Sequence, residues 1–110
     1  MSGSNLFTGT LDLLILRGLA WGPLHGYAIG RWIRDSSGDV LQVEEGVLYP
    51  ALHRLESKGW LEASWGRTDT NRRAKFYDLT PAGRRALEGE AARWSEHAAA
   101  VAAVLDAPRG

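Results

Sequence analysis

The stretch from Glu44 to Gly59, EEGVLYPALHRLESKG, constrains the fold more than any other part of the chain. Leu48, Ala51, Leu52 and Leu55 recur at i, i+3, i+4 and i+7, so they line one side of a helix and require a core to receive them. Gly46, Tyr49, Pro50, His53 and Ser57 fall on the opposite side, with Arg54 at its margin. A face that meets only water would carry Glu and Lys; this one carries a phenol, an imidazole and a proline. The leucines anchor the helix, and its other face is offered to a partner, for which the major groove of double-stranded DNA is the best fit. Pro50 lacks the N–H that would bond the Gly46 carbonyl. It sits either within the first turns, where Gly46 eases the crowding, or at a later helix start, and the exposed set is the same in both cases.

The segments before this helix supply the surfaces that cover it. Thr10 is placed to cap a helix over LDLLILRGLAW, with Asp12 in the first turn. Its stripe is Leu11, Leu14, Ile15, Gly18 and Leu19, while Leu13, Leu16 and Ala20 form a second apolar side that a second subunit could bury. Gly22-Pro23 ends it. A second helix, Leu24 to Arg34, turns Gly26, Ile29, Gly30 and Ile33 inward, and Val40, Leu41 and Val43 form a short extended piece after a Ser36–Asp39 loop.

Beyond Gly59 the period changes from about 3.6 to 2. Leu61, Ala63 and Trp65, then Lys75, Tyr77 and Leu79, alternate with polar neighbours as two antiparallel strands, joined by the polar loop from Gly66 to Arg73. Thr80-Pro81 opens a last helix reaching Leu105, with a hydroxyl cap followed by Pro at the first helical position. On it, Leu87, Trp94 and Val101 recur every seven residues, interleaved with Ala91, Ala98 and Leu105, which is a coiled-coil seam. The helix is longer than its own core needs, so with Leu13 and Leu16 it is assigned to a homodimer interface; the alternative is packing within one protomer.

Element order therefore predicts an α+β, mainly helical fold, a winged helix-turn-helix with a long C-terminal dimerisation helix. The expected divisions are a flexible N-terminus at residues 1–9, the winged helix at 10–80, the dimerisation helix at 81–106 and a tail at 107–110. At 110 residues there is room for one modest core. With no run of roughly eighteen apolar residues there is no membrane span, and with no basic-then-apolar leader the expected location is cytoplasmic. No cysteine is present, and His25, His53 and His97 are scattered, so no metal or other cofactor is expected. The net charge of zero weighs mildly against a nucleic-acid partner. Its distribution weakens that objection, because Arg67 to Arg85 holds six basic residues against two acidic ones.

Four segments together resemble the PadR family of bacterial transcriptional regulators: TLDLLILRGL, HGYAI, EEGVLYPALHRLESKGWLEASW and RRAKFYDLTPAGRRAL. The likeness runs from Thr10 to Leu105, and the single helix after the wing matches the smaller subfamily. It implies a homodimeric repressor on a pseudo-palindromic operator, released by a small molecule. In some small members an aromatic residue on the last helix lines a cavity at the dimer interface where planar hydrophobic compounds stack, which implies a ligand-binding role for Trp94; plain packing is the alternative.

The residues supply candidate DNA contacts of their own. Tyr49 can donate to a phosphate and His53 to a phosphate or a guanine acceptor. Arg54 can reach a guanine edge or pair with Glu45 or Glu56, and Pro50 shares the exposed face. Lys58 lies nearer the backbone than the bases. Arg72, Arg73 and Lys75, at the tip and start of the second wing strand, suit phosphate or minor-groove contact, against the alternative of a merely solvated loop. A winged helix can also serve as a protein-interaction module without specific DNA binding. An enzyme has little support, since no Ser/His/Asp constellation and no glycine-rich phosphate loop is present.

Overall fold

The computed structural model describes the backbone of residues 3–110 and the side chains from Gly9 onward. The first two residues of the expected flexible N-terminus, Met1 and Ser2, lie outside the described residues. In chain order the elements are α1 (Gly3–Gly18), a single 3-10 turn (Leu19–Trp21), β1 (Leu24–His25), α2 (Gly26–Ser36), α3 (Glu45–Ser57), β2 (Leu61–Arg67), β3 (Arg73–Leu79) and α4 (Pro81–Asp106). This is the expected winged helix: three helices, a hairpin wing and one long helix.

The core forms where the periodicities meet. Leu11, Ile15 and Leu19 from the first helical segment, Ile29 and Ile33 from α2, and Leu61, Tyr77 and Leu79 from the sheet close around Leu48, Ala51, Leu52 and Leu55 of α3. Burying a leucine or isoleucine contributes about 1.5–3 kcal/mol, so α3's apolar side fixes the helix firmly. Pro50 lies inside α3, six residues in, with Gly46 unobstructed by any neighbour.

Several expectations are corrected. Thr10 does not cap α1, because the helix begins at Gly3 and Asp12 falls well past its first turn. Nothing upstream contains a proline, and a lone Gly9 costs only about 1 kcal/mol, too little to stop the helix. Leu16, assigned to a subunit interface, is 0% exposed inside the protomer, and Leu87 packs half-buried on the same core. The sheet has three strands, not two, in the order β1-β3-β2. Leu24 and His25 are extended and stay outside the helix, pairing with the free edge of β3, Leu24 with Tyr77 and His25 with Phe76. Among the described residues Val40 to Val43 pairs with no strand; Ser37 Oγ instead accepts the Leu41 N–H at 2.9 Å, and Gly38 and Asp39 turn the chain at positive φ. Gly66, Arg67 and Arg73 belong to the strands, which shortens the wing loop to Thr68–Arg72.

Thr80 caps α4 as its sequence requires, its Oγ1 accepting the Gly83 N–H at 3.0 Å. A helix of 26 residues spans ~39 Å, and it accounts for much of the molecule's 62 Å long axis, against 29 and 26 Å in the other directions.

Candidate nucleic-acid interface

Three long-range connections set the direction in which α3 points. At its C-terminus Gly59 takes φ 79°, so that its N–H bonds the Glu56 carbonyl at 2.9 Å and the Trp60 N–H bonds the Leu55 carbonyl at 3.1 Å. That is a Schellman ending, and only glycine enters the left-handed region without penalty. Thr80 then grips this ending. Its hydroxyl donates to the Gly59 carbonyl at 2.6 Å and its N–H to the Trp60 carbonyl at 3.1 Å. Gly83 lies so close to Trp60 that an added Cβ would stand 2.0 Å from its carbonyl oxygen. The end of α3 and the start of α4 are thus one joint.

The second connection corrects the pairing expected for Arg54. Its Nη2 donates to Asp12 Oδ1 at 2.5 Å, a contact 42 residues distant in sequence, and not to Glu45 or Glu56. Arg54 therefore braces α3 against α1, with its guanidinium turned away from the exposed face. The third ties α3 to the wing: Lys75 Nζ donates to Glu56 Oε1 at 3.3 Å.

Between these braces Gly46, Tyr49, Pro50, His53 and Ser57 are all exposed, as their spacing predicts. Tyr49 is not simply free in solvent. Its ring lies across the first residue of α2, where a Cβ on Gly26 would meet Tyr49 Cε1 at 2.6 Å and its oxygen at 2.8 Å. Burial against α2 raises the phenol's pKa above its ordinary 10.0, and the charges of Glu45 and Tyr77 add to the shift. The hydroxyl is therefore a proton donor throughout the physiological range. Lys58, expected near the backbone of a bound duplex, rests its ammonium 4.6 Å from the centre of the Trp60 ring.

The wing is more ordered than a solvated loop. The Thr68 N–H bonds the Arg72 carbonyl at 2.8 Å, Asn71 turns at φ 63° with its N–H on the Thr68 carbonyl, and Thr68 Oγ1 accepts the Arg72 N–H at 3.2 Å. Arg72 is exposed at the tip, and among the described residues neither Arg72 nor Arg73 forms an ion pair. Of the cations assigned to this surface, Arg54 and Lys75 are neutralised internally and the two wing arginines are not.

One group escaped the sequence reading. Tyr27, Arg31 and Arg34 line a cleft with Glu44, Glu45 and Tyr49, in the angle between α2 and α3. Arg34 is shared between Asp35 and Asp39 at 3.9 and 3.8 Å. The signal was available, since these three recur at i, i+4 and i+7, along the flank of the inward stripe of α2.

On α4 the expected seam beyond Leu87 is largely open. Ala91 is exposed and Ala98 half-buried, while Trp94, Val101 and Leu105 expose 48, 42 and 78% of their surface. Val104, outside the expected seam, is 75% exposed. Among the described residues no helix is long and apolar enough to cross a membrane.

Comparison with known proteins gives a consistent result. The description matching residues 15–89 is that of the transcriptional regulator PadR-like family. An uncharacterised protein of Lysinibacillus sphaericus is 31% identical over 96 residues, which cover 87% of this chain and 88% of that one. A transcriptional regulator of Mycobacterium tuberculosis is 44% identical over 59 residues, 53% of this chain and 54% of the other. The crystal structure of a PadR family transcriptional regulator from Eggerthella lenta aligns with a TM-score of 0.79 at 32% identity, covering 94% of this chain and 88% of that one.

Proposed function

The chain belongs to the PadR-like family of transcriptional regulators, DNA-binding proteins and not enzymes, and on that premise we propose that it is a homodimeric repressor of a pseudo-palindromic operator. The observation that carries this reading is the exposed Tyr49–His53 face of α3 standing beside a wing whose arginines, among the described residues, form no ion pair. Tyr49, with Lys58 and the wing, fixes the register on phosphate, and His53 meets a base edge or a phosphate. Arg54 acts from behind by holding α3 in place. With so few groups free to read bases, DNA shape supplies part of the specificity.

In the same reading Trp94, Ala91, Ala98, Val101 and Leu105 face a second copy, together with the half-buried Leu13 of α1. A planar hydrophobic ligand stacking on Trp94 between the two copies releases the operator. Such a regulator acts in the cytoplasm.

Selection of bound sequences from a random pool of double-stranded DNA tests the proposal. The expected product is an inverted repeat whose half-sites are separated by about one helical turn, roughly 34–36 Å. Affinity should fall steeply with salt, since each phosphate neutralised releases counterions. Recovery of no repeat, together with binding indifferent to salt, would leave the protein-interaction module as the better account, a reading that the zero net charge favours.

A further inference from the structure

Trp65 is the largest exposed side chain of the wing, 62% accessible on β2, and no role in DNA binding follows from its exposure alone. Its neighbours give it one. In the hairpin register Trp65 stands opposite Lys75 and Arg67 opposite Arg73, so Arg73 is the diagonal neighbour of Trp65 on one face of the sheet. That face is continuous with Leu61, Leu79 and Tyr77 of the core, and through the Lys75–Glu56 contact it adjoins the recognition helix α3. The Arg73 guanidinium lies over the Trp65 ring, its carbon 4.6 Å from the ring centre.

Two arginines directly opposite one another on a hairpin repel. Here each is held by a different neighbour: Arg67 Nη1 donates to the Asn71 carbonyl at 3.1 Å, and Arg73 rests on the indole. The wing thus keeps two like charges side by side at the place where a phosphate would relieve both. Cation–π attraction uses the flat face of the guanidinium and leaves its N–H donors, which lie in the guanidinium plane, free for an anion. An arginine already resting on a ring also loses less freedom on binding than one waving in solvent.

We propose that Trp65 is the positioning residue of Arg73: the indole holds the guanidinium over the wing so that its edge meets a DNA phosphate beside the half-site. This rests on the DNA-binding reading above and adds to it a residue that itself need not touch DNA.

The test uses the full chain and an operator recovered by selection, with affinity measured across a range of salt concentrations. Trp65→Ala should weaken binding about two- to fivefold, the range of an exposed cation–π contact, and should lower the salt slope in the same direction as Arg73→Ala, by up to about one counterion. Trp65→Phe should restore most of both. In the Arg73→Ala background, Trp65→Ala should cost nothing further. An equal loss in both backgrounds would mean that Trp65 contacts DNA directly or merely supports the hairpin, and no loss in either would make it surface; each overturns the proposal while leaving the DNA-binding reading intact. Wild-type protein that selects no DNA at all overturns both.

Discussion

At the scale of single residues, spacing identified which side chains face outward but not what each one grips. Tyr49 stands on the exposed side of α3 and yet leans on Gly26 of the neighbouring helix, which raises its pKa. The folded state therefore holds the phenolic proton more tightly than the unfolded chain does. The resulting contribution to stability is fully present below pH 10 and is lost as pH rises through the higher folded value. Unfolding of wild type and Tyr49→Phe compared from neutral pH to above pH 10 should show the wild type losing more stability at the alkaline end; parallel curves would remove the shift. The same substitution should weaken operator binding at neutral pH, because it deletes the donor. Arg54 marks the limit of what could be read. Local spacing offers only Glu45 and Glu56, whereas its true partner, Asp12, is brought to it by the way α1 crosses α3. A residue chosen by tertiary packing leaves no signature in its own neighbourhood. For Trp94, replacement by Ala should abolish response to a genuine aromatic effector, and titration of both variants checks it.

At the scale of elements, legibility followed length and periodicity. The leucine stripe of α3 and the alternation of the hairpin extend over several turns or pairs, and each is visible in the sequence alone. β1, at two residues, is too short to alternate at all, and it exists because β3 has an unpaired edge beside it. The start of α1 was misplaced because Thr10 followed by an apolar run imitates a cap even inside a helix. Thr80 did cap, and it does more: it also closes the end of α3 through the Gly59 carbonyl. Thr80→Ala should therefore destabilise the fold by about 1 kcal/mol or somewhat more, the cost of a lost cap plus one further bond. Chemical denaturation measures the first effect. Because the orientation of α3 depends on the same hydroxyl, operator affinity should fall even under conditions where the variant is fully folded; unchanged affinity would show that Arg54 and Lys75 suffice to aim the helix.

At the scale of the molecule, a seven-residue repeat was legible in α4, but its division between protomer core and free surface was not. Leu16 and Leu87, assigned to a partner, serve the chain's own core, and the exposed apolar positions concentrate towards the C-terminus at Val101, Val104 and Leu105. Charges placed there should separate subunits without disturbing the winged helix. Val101→Glu with Leu105→Glu should sediment as a monomer with helical content unchanged, and wild type that is monomeric at micromolar concentration would remove the dimer from the account. The same repeat could not reveal that, among the described residues, the wing arginines form no ion pair, since that depends on how the hairpin folds.

The joint at Thr80 and Gly83 has a mechanical consequence. Trp94 lies fourteen residues along α4 from Thr80, about 21 Å at helical rise, so a sideways displacement of about 1 Å at the indole swings the shaft by roughly 3° about that pivot. A pivot with slack would absorb the swing. This one has a carbonyl pressed against a glycine and a hydroxyl bonded to both sides of it, so a load on the shaft should reach the end of α3 with little loss, like the bit of a key fixed to its stem.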